Sequence, residues 1–176
     1  MIKANLFWFG PHSVAGLKKA LKQPVSLSDE KYPFLNNFGL YMYLDNNLRE
    51  VVYLGQALTD GPRSLRDRIR WEITKDGNKC ALSKFNKDCE ELKIRSTDLF
   101  LKVAHIEEAT ENGSQIPIRD YKLINNIEMA LIHEISQNTS REQPILNIQG
   151  KKRYRQGRIK IINNGNFSPL LKIVRK

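Results

Sequence analysis

The alternation of hydrophobic and polar residues is most regular between positions 39 and 56. In the stretch GLYMYLD, Leu or Met occupies every second position and tyrosines lie between them, at 41 and 43. Alternation with a period of two is typical of a β-strand. An asparagine pair follows at 46–47, and asparagine tolerates the positive φ of a tight turn. The next stretch, EVVYLGQ, predicts a second strand with Val51, Tyr53 and Gly55 on one face, so the whole segment predicts a β-hairpin.

Other segments show the three-to-four-residue spacing that is typical of amphipathic helices. Residues 13–22 predict a short helix that Ser13 can cap. A second predicted helix follows the Gly-Pro turn at 61–62. The longest predicted helix covers residues 119–137, with Asp120 in its first turn, where a negative charge favours the helix dipole. The apolar stripe of the second helix consists of Leu65, Ile69 and Ile73.

The remaining segments predict one further strand and several loops. Residues 98–106, DLFLKVAHI, predict a third strand, and residues 109–117 predict a loop. Part of the polar stretch 75–97 has a helical pattern, and 145–149 is a short extended piece. In chain order these elements predict an α+β fold, in which helices cover a small sheet.

The charge balance is the most unusual feature of the composition. The chain has 29 Lys and Arg against 19 Asp and Glu, which gives a net charge of +10. No acidic residue occurs from Gly150 onward, and this segment is the most basic part of the chain. Such an excess favours a polyanionic partner, chiefly nucleic acid and then an anionic membrane surface. A basic surface without a charged ligand is the alternative.

Hydropathy and cysteine content indicate the compartment. No apolar run reaches the about 18 residues that a membrane span needs, and the N-terminus lacks the pattern of a signal peptide. Cys80 and Cys89 are the only cysteines in the sequence, which argues against a disulfide framework and does not match a zinc spacing. These features predict a cytoplasmic protein with reduced thiols and no membrane partner.

One carboxylate falls within the apolar arc of the longest predicted helix. On a helical wheel Glu128 lies between Ile132 and Ile135. A carboxylate there must be paired, bind a metal ion or reach solvent, because an unpaired buried charge costs several kcal/mol. Glu134 also falls on the arc, so spacing alone does not single out Glu128, and a solvated or salt-bridged glutamate is the alternative. The arc consists of Leu123, Ile124, Ile127, Leu131, Ile132 and Ile135.

Taken in order along the chain, these segments resemble the motifs of the GIY-YIG nuclease family. Two of them resemble the paired GIY and YIG motifs, each with leucine in place of isoleucine. The others resemble the family's arginine helix, its glutamate helix and its closing asparagine segment. The matching segments are GLY at 39–41, YLG at 53–55, SLRDRI at 64–69, IEMALI at 127–132 and PILN at 144–147.

The resemblance implies a fold and an activity. The family fold is a small three-stranded antiparallel sheet flanked by helices, which agrees with the α+β class. It implies an N-terminal helical extension at 1–37, a GIY-YIG-like nuclease domain at 38–149 and a basic C-terminal segment at 150–176, packed on the domain or extending it. Family members cut DNA phosphodiesters with one divalent ion, so the implied function is a Mg²⁺-dependent (or Mn²⁺-dependent) endonuclease. Small stand-alone members often dimerise, so a homodimer is one implied arrangement.

The resemblance also implies roles for individual side chains. Tyr41 would be the general base or would position water, provided that its pKa falls well below ~10. Tyr53 would be a second phenol that orders water or phosphate. Arg68 would bind the scissile phosphate with its planar fork. Glu128 would be the sole carboxylate ligand of the metal ion, and Asn147 would fix the local backbone or a neighbouring group of the site.

Further residues are implied to contact the substrate. Gly39 and Gly55 would let the backbone approach DNA closely. The other candidates are polar or basic and would contact phosphate with a steep salt dependence. The candidates are Gln56, Arg63, Arg66, Arg70, Lys151, Lys152, Arg153 and Arg155.

Two positions depart from the family pattern and leave a second function open. Many members have a lysine where this chain has Gln56, and a histidine where it has Glu72. Tyr43, Lys84 and His133 are conceivable substitutes. These departures favour the alternative of a catalytically weak or inactive module that binds nucleic acid on the same scaffold. A protein-interaction domain with incidental basicity is a more distant alternative.

Overall fold

A mixed β-sheet with helices on both faces forms the frame of the molecule. The computed structural model describes residues 1–24, 28, 30–45, 50–58, 64–74, 98–138 and 159–166. The strands are β1 (Ile2–Ser13), β2 (Gly39–Asp45), β3 (Glu50–Ala57), β4 (Leu99–Glu111), β5 (Ser114–Gln115) and β6 (Ile159–Gly165). The helices are α1 (Val14–Ala20), α2 (Leu65–Thr74) and α3 (Tyr121–Asn138), and Pro33–Asn36 form a short 3-10 helix. The predicted α+β class is therefore confirmed.

The sheet is wider than the three strands that the family resemblance implied. Its strand order is β3-β2-β4-β1-β6, and β5 pairs with β4. β2 lies between β3 and β4 and is antiparallel to both, so the predicted hairpin and the predicted third strand are neighbours. On the other side of β4, β1 is antiparallel to β4 and parallel to β6.

Two of the strands that sequence analysis missed, β1 and β6, lie at opposite ends of the described chain. Residues 2–13, which the resemblance assigned to a helical extension, form β1 before α1 begins. Ala4, Leu6 and Trp8 are all fully buried. Phe7 lies between Leu6 and Trp8, and Phe9 follows Trp8. Because both are apolar, the sequence does not show the alternation that marks a half-buried strand. β6 comes from the segment that the sequence singles out only for its charge.

Two hydrophobic layers cover the two faces of the sheet. α1, α2 and the 3-10 helix pack on one face, where Tyr41 and Tyr43 of β2 belong to the buried cluster. α3 packs on the opposite face against Met42 of β2 and Leu54 of β3. The predicted apolar arc of α3 is confirmed, because all six of its residues are buried; they are Leu123, Ile124, Ile127, Leu131, Ile132 and Ile135.

A bulge in the hairpin changes which residues share a face. Tyr43 pairs with Tyr53, but the next pair is Leu44 with Val51, so Val52 is an extra residue on β3. Val52 and Tyr53 consequently both pack in the layer beneath α2, whereas Val51 packs in the layer beneath α3. The prediction that Val51 and Tyr53 share a face is wrong, because a strict period of two does not anticipate a bulge.

A second hairpin replaces the loop predicted at 109–117. β4 continues to Glu111, and Asn112 and Gly113 then turn the chain with φ values of 52° and 90°. The two residues of β5 pair back onto β4. The Asn-Gly pair is the usual sequence of such a turn, because both of its residues tolerate positive φ.

The helix positions agree closely with the hydrophobic pattern. Ser13 caps α1 as predicted, and its side chain accepts a hydrogen bond from the Gly16 amide at 3.4 Å. Asp120 lies immediately before α3 instead of in its first turn. Its carboxylate accepts hydrogen bonds from the amides of Lys122 at 2.6 Å and Leu123 at 3.1 Å. This cap satisfies amides that have no partner within the helix.

Several predictions concern residues outside those that the structure describes. They are the turn at 46–47, the helical part of 75–97, the thiols Cys80 and Cys89, and the extended piece at 145–149. These stay predictions. Within the described ranges, the structure contains no helix with the length and apolar character needed to cross a membrane.

Candidate functional site

A buried carboxylate, Glu72 of α2, lies at the centre of a polar cluster beneath this helix. Its side chain is only 1% exposed. The Tyr41 hydroxyl donates a hydrogen bond to Oε1 of Glu72 at 2.5 Å, and the Tyr43 hydroxyl donates to Oε2 at 3.0 Å. Because residues two apart on a strand point to the same face, β2 directs both phenols toward α2. Both carboxylate oxygens therefore accept a hydrogen bond within the core.

Arg68 lies one turn before Glu72 on α2 and connects this cluster to the surface. Its Nε donates to the Tyr41 hydroxyl oxygen at 3.2 Å and lies 3.2 Å from Oε1 of Glu72. The guanidinium is also 5.3 Å from the centre of the Trp71 ring, a cation–π distance. The Arg68 side chain is 39% exposed. The Nε edge of the guanidinium is thus held by the protein while part of the side chain remains at the surface.

Burial and charge both alter protonation within the cluster. Burial raises the pKa of Tyr41 and of Tyr43 well above 10, and the negative charge of Glu72 raises both further. Burial also raises the pKa of Glu72, although the hydrogen bond from Tyr41 and the charge of Arg68 oppose that rise. Burial alone would lower the pKa of Arg68, but Tyr41 and Glu72 outweigh it and raise the pKa. Both phenols and Arg68 are therefore protonated at neutral pH.

Glu128 of α3 and Tyr53 of β3 come close to Arg68 at one side of the sheet. β3 is an edge strand, so groups from both faces can meet around it. Burial raises the pKa of Glu128 to about 7, and the positive charge of Arg68 opposes this rise. Burial and Glu72 raise the pKa of Tyr53 to about 12, while Arg68 lowers it and Glu128 contributes a further increase. Arg68, Tyr53 and Glu128 therefore lie within one electrostatic environment.

The structure brings together four of the predicted catalytic residues but does not support the role given to Tyr41. Tyr41, Tyr53, Arg68 and Glu128 form a connected set. Tyr41, however, is 0% exposed, and its pKa is raised, whereas a general base needs a lowered one. The half-buried Tyr53 is the phenol with access to the surface. Asn147 lies outside the described residues.

The two motif glycines are explained by contacts within the protein. A Cβ at Gly55 would lie 2.4 Å from both Cζ and the hydroxyl oxygen of Tyr41. A Cβ at Gly39 would lie 2.2 Å from the carbonyl oxygen of Ala104 on β4, and Gly39 has a φ of +151°. The predicted reason for these glycines, close approach of DNA to the backbone, is therefore not needed. Gly55 is required by the ring of Tyr41, and Gly39 by the neighbouring strand.

A Gly55→Ala variant is expected to lose about 1–3 kcal/mol of unfolding free energy, because the Tyr41 ring is fully packed and cannot move aside without strain. Urea unfolding followed by circular dichroism measures this loss. Gly16→Ala on α1 is the matched control, since its added Cβ would lie at an ordinary 3.4 Å from the nearest atom, the Tyr32 hydroxyl. Equal stability of the Gly55→Ala variant and the parent would contradict the packing explanation.

The polar and basic residues predicted to contact the substrate have different surroundings. Arg66 donates to the Ser28 hydroxyl at 2.6 Å and to Oδ1 of Asn36 at 3.2 Å, so it ties α2 to the segment before the hairpin. Arg70 is exposed on α2. The side-chain oxygen of Gln56 is buried and has no hydrogen-bond partner among the described residues. The rest lie outside the described ranges; they are Arg63, Lys151, Lys152, Arg153 and Arg155.

Glu72 is the residue of the site that sequence analysis treated only as a departure from the family pattern. Two signals point to it. Arg68 and Glu72 are four residues apart, the spacing at which helical side chains meet. Glu72 also lies beside the apolar stripe of Leu65, Ile69 and Ile73, so it is a carboxylate on the buried face of its helix. A carboxylate on the apolar face of a helix is also the feature that drew attention to Glu128.

Glu128 is the described residue on which the predicted metal ion would depend. Among the described residues, no group of three or more His, Cys, Asp and Glu side chains is arranged to hold a metal ion. Mg²⁺ in phosphoryl-transfer sites is commonly bound through one or two carboxylates plus substrate phosphate and water. Glu128 supplies one carboxylate in a partly desolvated position, and the neighbouring Arg68 supplies positive charge for a phosphate.

Comparisons with known proteins identify no family for this chain. No protein-family model matches it, and neither the curated proteins nor the solved structures contain a match. The site is therefore described by its residues alone: Arg68, Tyr53 and Glu128 lie near one another beside strand β3.

Proposed function

We propose that the protein is a metal-dependent DNA endonuclease that hydrolyses phosphodiester bonds at a GIY-YIG-type site, with β3, β2 and β4 as the core of that fold. The observation that carries the proposal is the meeting of Arg68, Tyr53 and Glu128. These residues come from α2, β3 and α3, yet Arg68 affects the pKa of both Tyr53 and Glu128. Purely structural packing does not require a cation, a phenol and a carboxylate from separate elements to share one partly exposed position.

Each side chain has a defined task in the proposed reaction. The exposed part of the Arg68 guanidinium binds the scissile phosphate and stabilises the charge that develops on its oxygens. Tyr53 orients the attacking water by a hydrogen bond; a phenol with a pKa of about 12 is a donor at neutral pH and not a base. Glu128 holds Mg²⁺ or Mn²⁺, which when bound would lower the pKa of water and neutralise phosphate charge.

The basic surface supplies affinity for DNA in this proposal. Neutralising phosphates with Lys and Arg releases counterions, so affinity falls steeply with salt. A net charge of +10 is consistent with such a partner. We place the protein in the cytoplasm and propose that two copies form a homodimer when both strands of a duplex are cut.

A plasmid-nicking assay tests the proposal. The parent protein is expected to convert supercoiled plasmid to the nicked or linear form with Mg²⁺ or Mn²⁺ and not with EDTA. Tyr53→Phe, which removes the hydroxyl that orients water, is expected to slow this conversion about tenfold or more.

Tyr121→Phe is the control for this assay, since Tyr121 is 58% exposed on α3. A parent protein that binds DNA with a steep salt dependence and never nicks it would instead identify the non-catalytic module. The raised pKa of Tyr41 is the observation that favours this second candidate. Absence of salt-sensitive DNA binding would remove both candidates.

A further inference from the structure

Arg68 is too flexible a side chain to keep one orientation without partners. An arginine side chain has several rotatable bonds and loses rotamer entropy when it is held in one conformation, and this one is 39% exposed. In the structure its Nε contacts two acceptors that are themselves fixed, the hydroxyl of Tyr41 and Oε1 of Glu72. Tyr41 is in turn locked by its own hydrogen bond to Glu72 at 2.5 Å. Both contacts of the Arg68 Nε therefore depend on the carboxylate of Glu72.

We infer that Glu72 is a positioning residue: together with Tyr41 it fixes the Nε edge of Arg68, so that the terminal nitrogens of the guanidinium are aimed at a phosphate beside Tyr53 and Glu128. The inference rests on the proposed function for what Arg68 binds. The restraint on Arg68 itself is independent of that function. Glu72 is a positioning residue and not a catalytic one, because its side chain is buried and both of its oxygens accept hydrogen bonds from tyrosines.

The arrangement requires a carboxylate and not merely a polar side chain. Oε1 accepts from Tyr41 and pairs with Arg68, while Oε2 accepts from Tyr43. Each of these partners is a donor. A glutamine in this position has one acceptor and an NH₂ group, so the NH₂ must face either the Arg68 and Tyr41 donors or the Tyr43 hydroxyl. One donor then loses its partner inside the core.

The negative charge has a second effect on Arg68. In a partly buried position a guanidinium is costly unless it is paired, and Glu72 is the carboxylate within ion-pair distance of Arg68 in the described structure. The pair therefore lets a cation remain at the edge of the core. The i, i+4 spacing on α2 sets the direction from which Arg68 is held.

Hydrogen exchange measured by NMR observes the restraint on Arg68 directly and separately from cleavage. In ¹⁵N-labelled protein, the Nε–H signal of Arg68, assigned by its loss in Arg68→Lys, is expected to exchange with water at least about tenfold more slowly than that of free arginine in the same buffer. Glu72→Gln removes the charge and is expected to reduce this protection severalfold. If the Arg68 Nε–H stays protected in the folded Glu72→Gln variant, the inference is overturned.

Cleavage supplies the second readout. Glu72→Gln is expected to reduce plasmid nicking by about 10–100-fold, as loss of an orienting partner commonly does, with a larger effect on kcat than on KM. Glu72→Asp keeps the charge but is one methylene shorter, so it is expected to retain part of both the protection and the activity. Unchanged cleavage in Glu72→Gln would overturn the role in positioning.

Further variants distinguish a positioning role of Glu72 from a general loss of charge or of folding. Asp67→Asn removes from the same helix a carboxylate that accepts a hydrogen bond from the Ser64 hydroxyl, and it is expected to leave the Arg68 signal unchanged. If Glu72→Gln does not fold, Glu72→Asp decides, and full protection of Arg68 in that variant counts against the inference. If protection depends on Glu72 but the parent never cuts DNA, the positioning of Arg68 stands and the nuclease proposal falls.

Discussion

Replacing Glu128 with glutamine is expected to abolish DNA cleavage and at the same time to raise the free energy of unfolding at pH 8. The two effects have one cause, a carboxylate held where its charge is poorly solvated. Burial raises the pKa of Glu128 to about 7 from an ordinary value of 4.5. The folded protein therefore binds this proton more tightly than the unfolded chain does.

The sign of the pH dependence follows from that difference. Below about pH 4.5 Glu128 is protonated in both states and has no cost in the folded state. Between about pH 4.5 and 7 the unfolded chain ionises first, so stability falls as pH rises. Above pH 7 the full penalty remains, on the order of 2–3 kcal/mol. Glutamine has no charge to desolvate, so Glu128→Gln is expected to regain most of this amount at pH 8 and little of it at pH 5.

Urea unfolding at both pH values, without metal, measures the stability effect. Glu107→Gln removes the same charge from an exposed position on β4 and is the control for both assays. Cleavage by Glu128→Gln with Mg²⁺ is expected to fall at least about 100-fold, since the metal ion contributes several kcal/mol to stabilising the transition state. A Glu128→Gln variant that is active, or that is less stable than the parent at pH 8, would contradict this account.

Replacing Arg68 is expected to have the second largest effect. Arg68→Lys keeps the positive charge but loses the planar fork, so a single ammonium cannot pair with Glu72 and bind a phosphate in two directions. We expect cleavage to fall by about 100-fold or more, with most of the loss in kcat at saturating DNA. The stability of this variant is expected to stay near that of the parent.

Arg68→Ala is expected to lose cleavage to a similar extent and stability as well. It leaves Glu72 buried with its two phenol donors but without a cation. Because Arg68 is 39% exposed and partly screened by solvent, we expect a loss of only about 1–2 kcal/mol.

Arg70→Ala is the comparison for both variants, since Arg70 is exposed two residues further along α2. Its expected effect is weaker DNA binding with a shallower salt dependence and an unchanged kcat. Equal loss of kcat in Arg70→Ala and Arg68→Lys would mean that Arg68 acts only as one of many surface charges.

The elements around the site were predictable because their patterns are local. The alternation in β2, the stripe of Leu65 and Ile69 in α2 and the arc of α3 each follow from residues a few positions apart. The Glu72 contacts are of another kind, since they join positions 31 and 29 residues apart in the sequence. No periodicity within α2 indicates that two phenols from β2 will reach the same carboxylate, so its role required the tertiary structure.

The family resemblance predicted which residues meet but not what each one does. Tyr41 and Tyr53 both belong to the site, yet only the depth of each ring decides which phenol can contact water. That depth depends on Gly55 making room for Tyr41, a contact across two strands. The width of the sheet was missed for a similar reason, because β1 is completed by partners from distant parts of the chain.

The parallel pairing of β1 with β6 has a consequence for how the chain folds during synthesis. Ile2 pairs with Ile159 and Trp8 with Gly165, so this edge of β1 lacks its β6 partner until residues 159–165 have been synthesised. The β2–β3 hairpin needs only nearby residues and can form much earlier. Contacts between such distant segments slow folding, and an unpaired strand edge invites pairing with another chain. We therefore expect the pairing of β1 with β6 to be a late step in the folding of this sheet.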